Sequence, residues 1–128
     1  MKSALTALVL TLSLYTQAIS IKLVPETGNP PSSRRLSGFT LDSFDQKLYI
    51  YGGISTGKNS DIWEFDLLTN RWSEIHSVSV QTPGSLSSPF LTRLNGQRKI
   101  LLFGGDTPNG PTSDVWLYEI DYQTVTFM

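Results

Sequence analysis

The sequence predicts an all-β protein that contains two tandem copies of one short repeat. The diglycines at 52–53 and 104–105 lie 52 residues apart, and Trp63 and Trp116 lie 53 residues apart. Each diglycine ends an unbroken run of large β-forming residues. The residues after position 20 lack the 3.6-residue apolar period of an amphipathic helix. We therefore expect each copy to form a small antiparallel sheet.

Four short strands are expected in each copy. In the first copy they cover residues 36–41, 47–51, 61–66 and 71–75, and in the second copy 88–92, 98–103, 114–120 and 125–127. The Asn95-Gly96 pair between the first two strands of the second copy is a strong hairpin signal. The second strand of each copy has the composition of a strand that is covered on both faces. A polar loop is expected after each diglycine, at residues 54–60 and 106–113.

The end of the repeat is aligned by residue type. Thr69 matches Thr124 and Trp72 matches Phe127, each pair 55 residues apart. This alignment requires two additional residues in the second copy after Trp116. It also makes Phe127 the aromatic residue of the fourth strand.

The N-terminus has the three parts of a secretory signal peptide at residues 1–20. Lys2 gives a positive start, residues 4–14 are almost wholly apolar, and the small residues Ala18 and Ser20 have the spacing of a cleavage site. The apolar run is short for a membrane span. A signal anchor and a buried N-terminal helix are the alternatives. Residues 21–30 are then an extended leader, 31–80 the first repeat and 81–128 the second.

Composition excludes several kinds of site. The chain has no cysteine, so it contains no thiol nucleophile and no thiolate metal site. Without residues 1–20 it carries nine basic and 11 acidic residues, a formal charge of −2, because Lys2 is the one charged residue removed. This balance gives no reason to expect nucleic acid or a membrane surface as a partner. With His76 as the single histidine, we expect no catalytic residue, cofactor or metal.

Residues 52–59 follow most of the pattern of a phosphate-binding loop, G-x-x-x-x-G-K-[ST]. Asn59 stands where a hydroxyl should bind Mg²⁺. A strand is expected after the loop, where the pattern requires a helix. The corresponding loop of the second copy has no lysine. We therefore do not expect nucleotide binding.

The repeat resembles the kelch motif, in which a strand ending in Gly-Gly precedes Asp-x-Trp-x-aromatic-Asp and then Thr and Trp. Residues 31–39 are similar to the family's proline-arginine-glycine lead-in. The resemblance implies two four-stranded antiparallel blades of a β-propeller, an incomplete ring. It gives the motif residues packing roles. These residues are Gly52, Gly53, Asp61, Trp63, Phe65, Trp72, Gly104, Gly105, Asp114, Trp116 and Phe127. The recurrence of an aspartate at the same position of both repeats indicates a structural role, in which its side chain bonds to loop backbone.

The resemblance also implies a secreted binding or scaffold module without catalysis, which contacts a protein, or alternatively a glycan, through its loops. Candidate contact residues lie where the two copies differ most: Ser55, Thr56, Lys58, Asn59, Asp106 and Asn109. We expect that alanine at positions 56–58 weakens partner capture without loss of stability.

Two blades are fewer than the 4–8 of a typical propeller. Three hypotheses stay open. The chain is part of a larger secreted kelch-like protein or oxidase, or a non-functional truncated product, or copies of it assemble into a ring, for example as a trimer with six blades.

Overall fold

The computed structural model describes residues 23–128, and the predicted signal peptide at 1–20 lies outside the described residues. The described residues form nine strands and no helix, which confirms the all-β prediction. The strands are β1 (Thr27–Gly28), β2 (Gly38–Asp42), β3 (Lys47–Tyr51), β4 (Ile62–Asp66), β5 (Arg71–Ile75), β6 (Phe90–Arg93), β7 (Lys99–Thr107), β8 (Gly110–Glu119) and β9 (Thr124–Phe127).

The strands form one sheet for each repeat. The first sheet has the order β1-β5-β4-β3-β2 and the second has the order β6-β7-β8-β9. All neighbours are antiparallel except β1 and β5. The first sheet therefore has five strands, where four were predicted. The additional strand β1 lies in the predicted leader, and the Thr27 N–H donates to the Asn70 carbonyl at 2.7 Å.

The polar loop predicted at 106–113 is part of a hairpin. β7 continues through its diglycine to Thr107, and β8 begins at Gly110. The ladder shifts register between Phe103 and Gly105, and it then resumes. The Thr107 hydroxyl donates to the Gly110 carbonyl at 2.8 Å and closes the tip. The loop prediction was wrong here because a bulge keeps the two strands paired beyond the glycines.

The alignment with two additional residues in the second copy was also wrong. The turns at 67–70 and 120–123 have equal length, and Asn70 and Gln123 have φ values of 55° and 52°. The offset from Trp63 to Trp116 therefore continues unchanged through the last strand. Val125, not Phe127, occupies the position of Trp72, because backbone conformation fixes the turn and residue type does not.

Side chains alternate between the two faces of each sheet. Face A carries Tyr49, Tyr51 and Ile62 in the first sheet and Leu101, Phe103 and Val115 in the second. Face B carries Leu48, Ile50, Trp63 and Phe65 in the first sheet and Ile100, Leu102, Trp116 and Tyr118 in the second.

Face A of the first sheet packs on face B of the second sheet and forms the core. The buried residues are Tyr49, Tyr51, Ile62, Leu86, Leu91, Ile100, Leu102, Trp116, Tyr118, Ile120 and Val125. Strands β2 and β6 approach closely at Gly38, where an added Cβ would collide with Leu91. The two sheets thus share one hydrophobic core. Within residues 23–128, no helix is long and apolar enough to cross a membrane.

Candidate functional site

The first diglycine is a junction between the two sheets. Gly52 and Gly53 have φ values of 65° and 94°, in the left-handed region that favours glycine. A Cβ on Gly52 would collide with the Leu86 carbonyl oxygen, and the Gly53 N–H donates to the same oxygen at 2.8 Å. This contact fixes the segment that leads into the second sheet.

Asp61 lies just before β4 and anchors the lead-in of the first repeat. The Arg34 guanidinium donates to its two oxygens at 2.6 and 2.9 Å, and the Trp63 indole N–H donates at 2.6 Å. Burial opposes the charged form of Asp61, but these hydrogen bonds outweigh it and hold the pKa of the carboxyl below its usual value. Its partners are therefore side chains and not the loop backbone that was expected.

Asp114 is in a different environment. Its side chain is exposed. The isolated bridges Arg35–Ile54 and Ser87–Asp106 lie at equivalent positions of the two repeats, so Leu86 stands where Arg34 does in the first repeat. The aspartate recurs, but the arginine that pairs with it does not. The equivalent positions of the two repeats therefore differ in structural role.

The loop at 54–60 is held by its own side chains. The Asn59 amide donates to the Gly53 carbonyl at 3.1 Å and to the Ser55 hydroxyl at 3.3 Å. Both Ser55 and Asn59 are half-buried. These two predicted contact residues therefore support the loop, and the exposed Thr56 lies at its surface.

Lys58 joins the loops of the two sheets. Its Nζ donates to the Thr107 carbonyl at 2.7 Å and to the Asp106 carbonyl at 3.2 Å. The residue that would contact a nucleotide phosphate in the loop motif is thus engaged within the protein. Strand β4 follows the loop, where a phosphate-binding loop would be followed by a helix.

We define the loop surface as residues 54–60 together with 106–114. Its exposed members include the predicted contact residues Thr56, Asp106 and Asn109. Asp114 is also exposed, whereas Lys58 is engaged with two carbonyls. The loop surface is therefore polar, with two exposed carboxylates.

Two ion pairs between the sheets were not predicted. Arg93 pairs with Asp42, whose side chain is fully buried, and Arg98 pairs with Asp45. Asp42 also accepts backbone N–H bonds from Phe44 and Asp45 at 3.0 and 3.1 Å. The turn around Asp42 has a local sequence pattern, but its arginine partner lies in the other repeat, and no local pattern indicates it.

A cleft of about 290 Å³ lies between the two sheets. Its lining includes Tyr51, Trp116, Tyr118 and Val125. The Tyr118 hydroxyl is buried and lacks a hydrogen-bond partner within the described part of the chain. Burial raises the pKa of Tyr118 to about 12. Because the first repeat has Trp72 where the second has Val125, the smaller side chain leaves room here.

The described residues 23–128 contain no group of three or more His, Asp or Glu side chains that could hold a metal ion. His76 is exposed, and its Nδ1 lies 4.0 Å from Glu74.

A family model described as the KLHDC2/KLHL20/DRC7 Kelch-repeats domain matches residues 5–127. The match covers both sheets and nearly the whole chain.

Proposed function

Because the chain belongs to the kelch-repeat family, we propose that it is a non-catalytic module that binds a protein partner through the loop surface. Kelch-repeat domains generally mediate protein–protein interactions and are typically non-catalytic scaffolds. The observation that carries the proposal is the contact of Lys58 with the Asp106 and Thr107 carbonyls. It holds loops of both repeats together at one end of the two sheets.

The two sheets and the Lys58 contact hold the loop surface in a fixed position, which favours binding at this end of the molecule. Loops on a fixed scaffold present their side chains with little loss of conformational entropy on binding. Asp106 and Asp114 give the loop surface two exposed carboxylates, which favour a partner with basic or hydrogen-bond-donating groups. A glycan, which presents hydroxyl donors, is the second kind of ligand that these groups suit.

We further propose that the chain enters the secretory pathway. The support is the charge, apolar run and small residues of positions 1–20. The alternatives are a portion of a larger secreted kelch-like protein or oxidase and a non-functional truncated product. A catalytic region elsewhere in a longer gene would favour the first of these.

The function is tested by replacing Thr56, Asp106 and Asn109 together with alanine. All three side chains are exposed, so the free energy of unfolding should change by no more than about 0.5 kcal/mol per site. The immobilised chain should capture a partner from a secreted protein fraction, as identified by mass spectrometry. The triple variant should lose most of this capture. Lys58 is left unchanged because its alanine variant would also separate the two loops.

The matched control replaces Ser43, Asn95 and Tyr122 with alanine. These residues are exposed in turns at the opposite end of the strands. The control should keep full capture. Equal capture by the two triple variants, or equal loss, would exclude the loop surface as the binding site.

A further inference from the structure

Each sheet has one face outside the core. Face B of the first sheet carries Phe39 and Leu41, with 69% and 56% of their surfaces exposed. Face A of the second sheet carries Phe90 and Phe103, with 59% and 46% exposed. Contiguous exposed apolar side chains mark an interaction surface more often than scattered ones do. Within the chain, the partner of a face A is the face B of the neighbouring sheet.

The backbone shows which positions of the two repeats are equivalent. Leu36 and Ser88, 52 residues apart, have φ values of 56° and 54°. The Gln46 carbonyl accepts the N–H of the residue that follows β4, and the Arg98 carbonyl accepts the N–H of the residue that follows β8, both at 2.9 Å. Positions 36–53 therefore correspond to positions 88–105, with a constant offset.

This offset shows what replaces the ion pair between Asp42 and Arg93. The position of Asp42 is Leu94 in the second repeat, and the position of Arg93 is Leu41 in the first. Leu94 lies beside the exposed face A, and Leu41 lies on the exposed face B. Both charges are thus replaced by leucine on the two outward faces.

Both members of the second ion pair, Asp45 and Arg98, are also replaced at the equivalent positions of the other repeat. The position of Asp45 is Gln97, and the position of Arg98 is Gln46. Two amides can bond each other, since each carries a donor and an acceptor. Had one member of either pair kept its charge, contact between the outward faces would bury an unpaired ion, which is strongly destabilising.

We propose that face A of the second sheet binds face B of the first sheet in another copy of this chain. Leu94 then packs on Leu41, and Gln97 bonds Gln46, in the arrangement that the ion pairs have inside the chain. The two contact surfaces differ, so the association is head to tail and closes into a ring when the rotation permits. Two to four copies would give the 4–8 blades of a typical propeller.

One contact differs between the internal and the intermolecular interface. Gly38 lets β2 and β6 approach closely, but its equivalent is Phe90, which would meet Phe39. Two phenyl rings therefore separate the strands at this edge. We expect the contact between copies to be weaker than the core, and the association to depend on concentration.

The test measures mass by sedimentation equilibrium over a wide range of protein concentrations. The unmodified chain should form a defined oligomer that dissociates on dilution. Leu41→Arg and Leu94→Asp should each shift dissociation to at least tenfold higher concentration, because each would bury a charge opposite leucine. Val80→Arg is the matched control, since Val80 is fully exposed in the segment between the sheets, and it should leave the oligomer unchanged.

An equimolar mixture of the Leu41→Arg and Leu94→Asp chains provides the decisive measurement. The introduced arginine and aspartate would face each other as Arg93 and Asp42 do inside the chain. The two variants should therefore associate with each other at concentrations where either variant alone is monomeric. A monomeric unmodified chain at every concentration, equal effects of Leu41→Arg and Val80→Arg, or a mixture that stays monomeric would each overturn the proposal.

Discussion

The carboxylate of Asp61 holds the chain segments near the first diglycine in place through hydrogen bonds. It receives three hydrogen bonds from the Arg34 and Trp63 side chains, and Arg34 also donates to the Gly52 carbonyl at 3.0 Å. One ion pair thus connects the lead-in, the diglycine and the start of β4. Loss of the arginine would leave a partly buried carboxylate without its cation.

This pairing predicts a dependence of stability on pH. The pKa of Asp61 is lower in the folded than in the unfolded chain, so its contribution is complete above about 3.9 and is lost as the pH falls through the folded value. Arg34→Ala should lower the free energy of unfolding by about 2 kcal/mol at neutral pH, with a smaller further loss in acid. Urea unfolding at a series of pH values measures both effects.

Arg35→Ala is the control for this prediction. The adjacent arginine is exposed, and its replacement should change the free energy of unfolding by less than about 0.5 kcal/mol. The acid dependence of the unmodified chain should be retained. If the Arg34 and Arg35 variants respond alike, the ion pair with Asp61 does not stabilise the fold.

At the scale of elements, strands with many large β-formers were predicted well. The bounds of β3 and β5 were predicted without error. Strand β1 was missed because a two-residue polar strand has no pattern of its own, and its pairing with β5 is non-local. The shifted alignment of β9 arose because Gln123, unlike Asn70, is not a residue type that indicates positive φ.

The position of Val125 in β9 predicts a change in stability. Val125 lines the cleft between the sheets, and the first repeat accommodates Trp72 at this position. Val125→Phe should fill part of the cleft and raise the free energy of unfolding by about 1 kcal/mol. Val125→Ala should lower it by about 1–2 kcal/mol. Chemical denaturation of the two variants checks the direction of each change, and destabilisation by both would show that the cleft cannot take a larger side chain.

At the scale of the whole molecule, the two sheets are joined by features that no local pattern predicts. The loops were expected to carry the candidate site, and Thr56, Asp106 and Asn109 do lie exposed at one end. The role of Lys58 could not be predicted, because the carbonyls that it bonds lie 48 and 49 residues further along the chain. Such contacts can be predicted only when the position of one sheet relative to the other is known, and no local sequence pattern gives that position.

The buried ion pair between the sheets predicts a non-additive pair of substitutions. Arg93→Leu alone should lower the free energy of unfolding by about 3–5 kcal/mol, because it leaves the Asp42 carboxylate buried and unpaired. The double variant Asp42→Leu with Arg93→Leu reproduces the leucine pair at positions 94 and 41. It should recover at least about 1 kcal/mol of that loss, although the turn bonds of Asp42 are removed.

Equilibrium unfolding of the single and double variants forms the double-mutant cycle. Asp42→Leu alone supplies the fourth corner of the cycle. Additive losses would show that the carboxylate and the guanidinium do not interact across the sheets.

The ion pair of Asp42 with Arg93 also affects which sheets pack together when many copies of the chain fold at the same time. Face A of a first sheet could otherwise stack on face B of a first sheet from another molecule. That packing would place Leu41, in place of Arg93, opposite the Asp42 carboxylate, and packing of two second sheets would place Leu94, in place of Asp42, opposite Arg93. Packing of two like sheets is therefore disfavoured by the free-energy cost of desolvating an unpaired charge. The pair therefore favours packing of a first sheet on a second sheet over packing of two like sheets, a form of misassembly to which repeat proteins are prone.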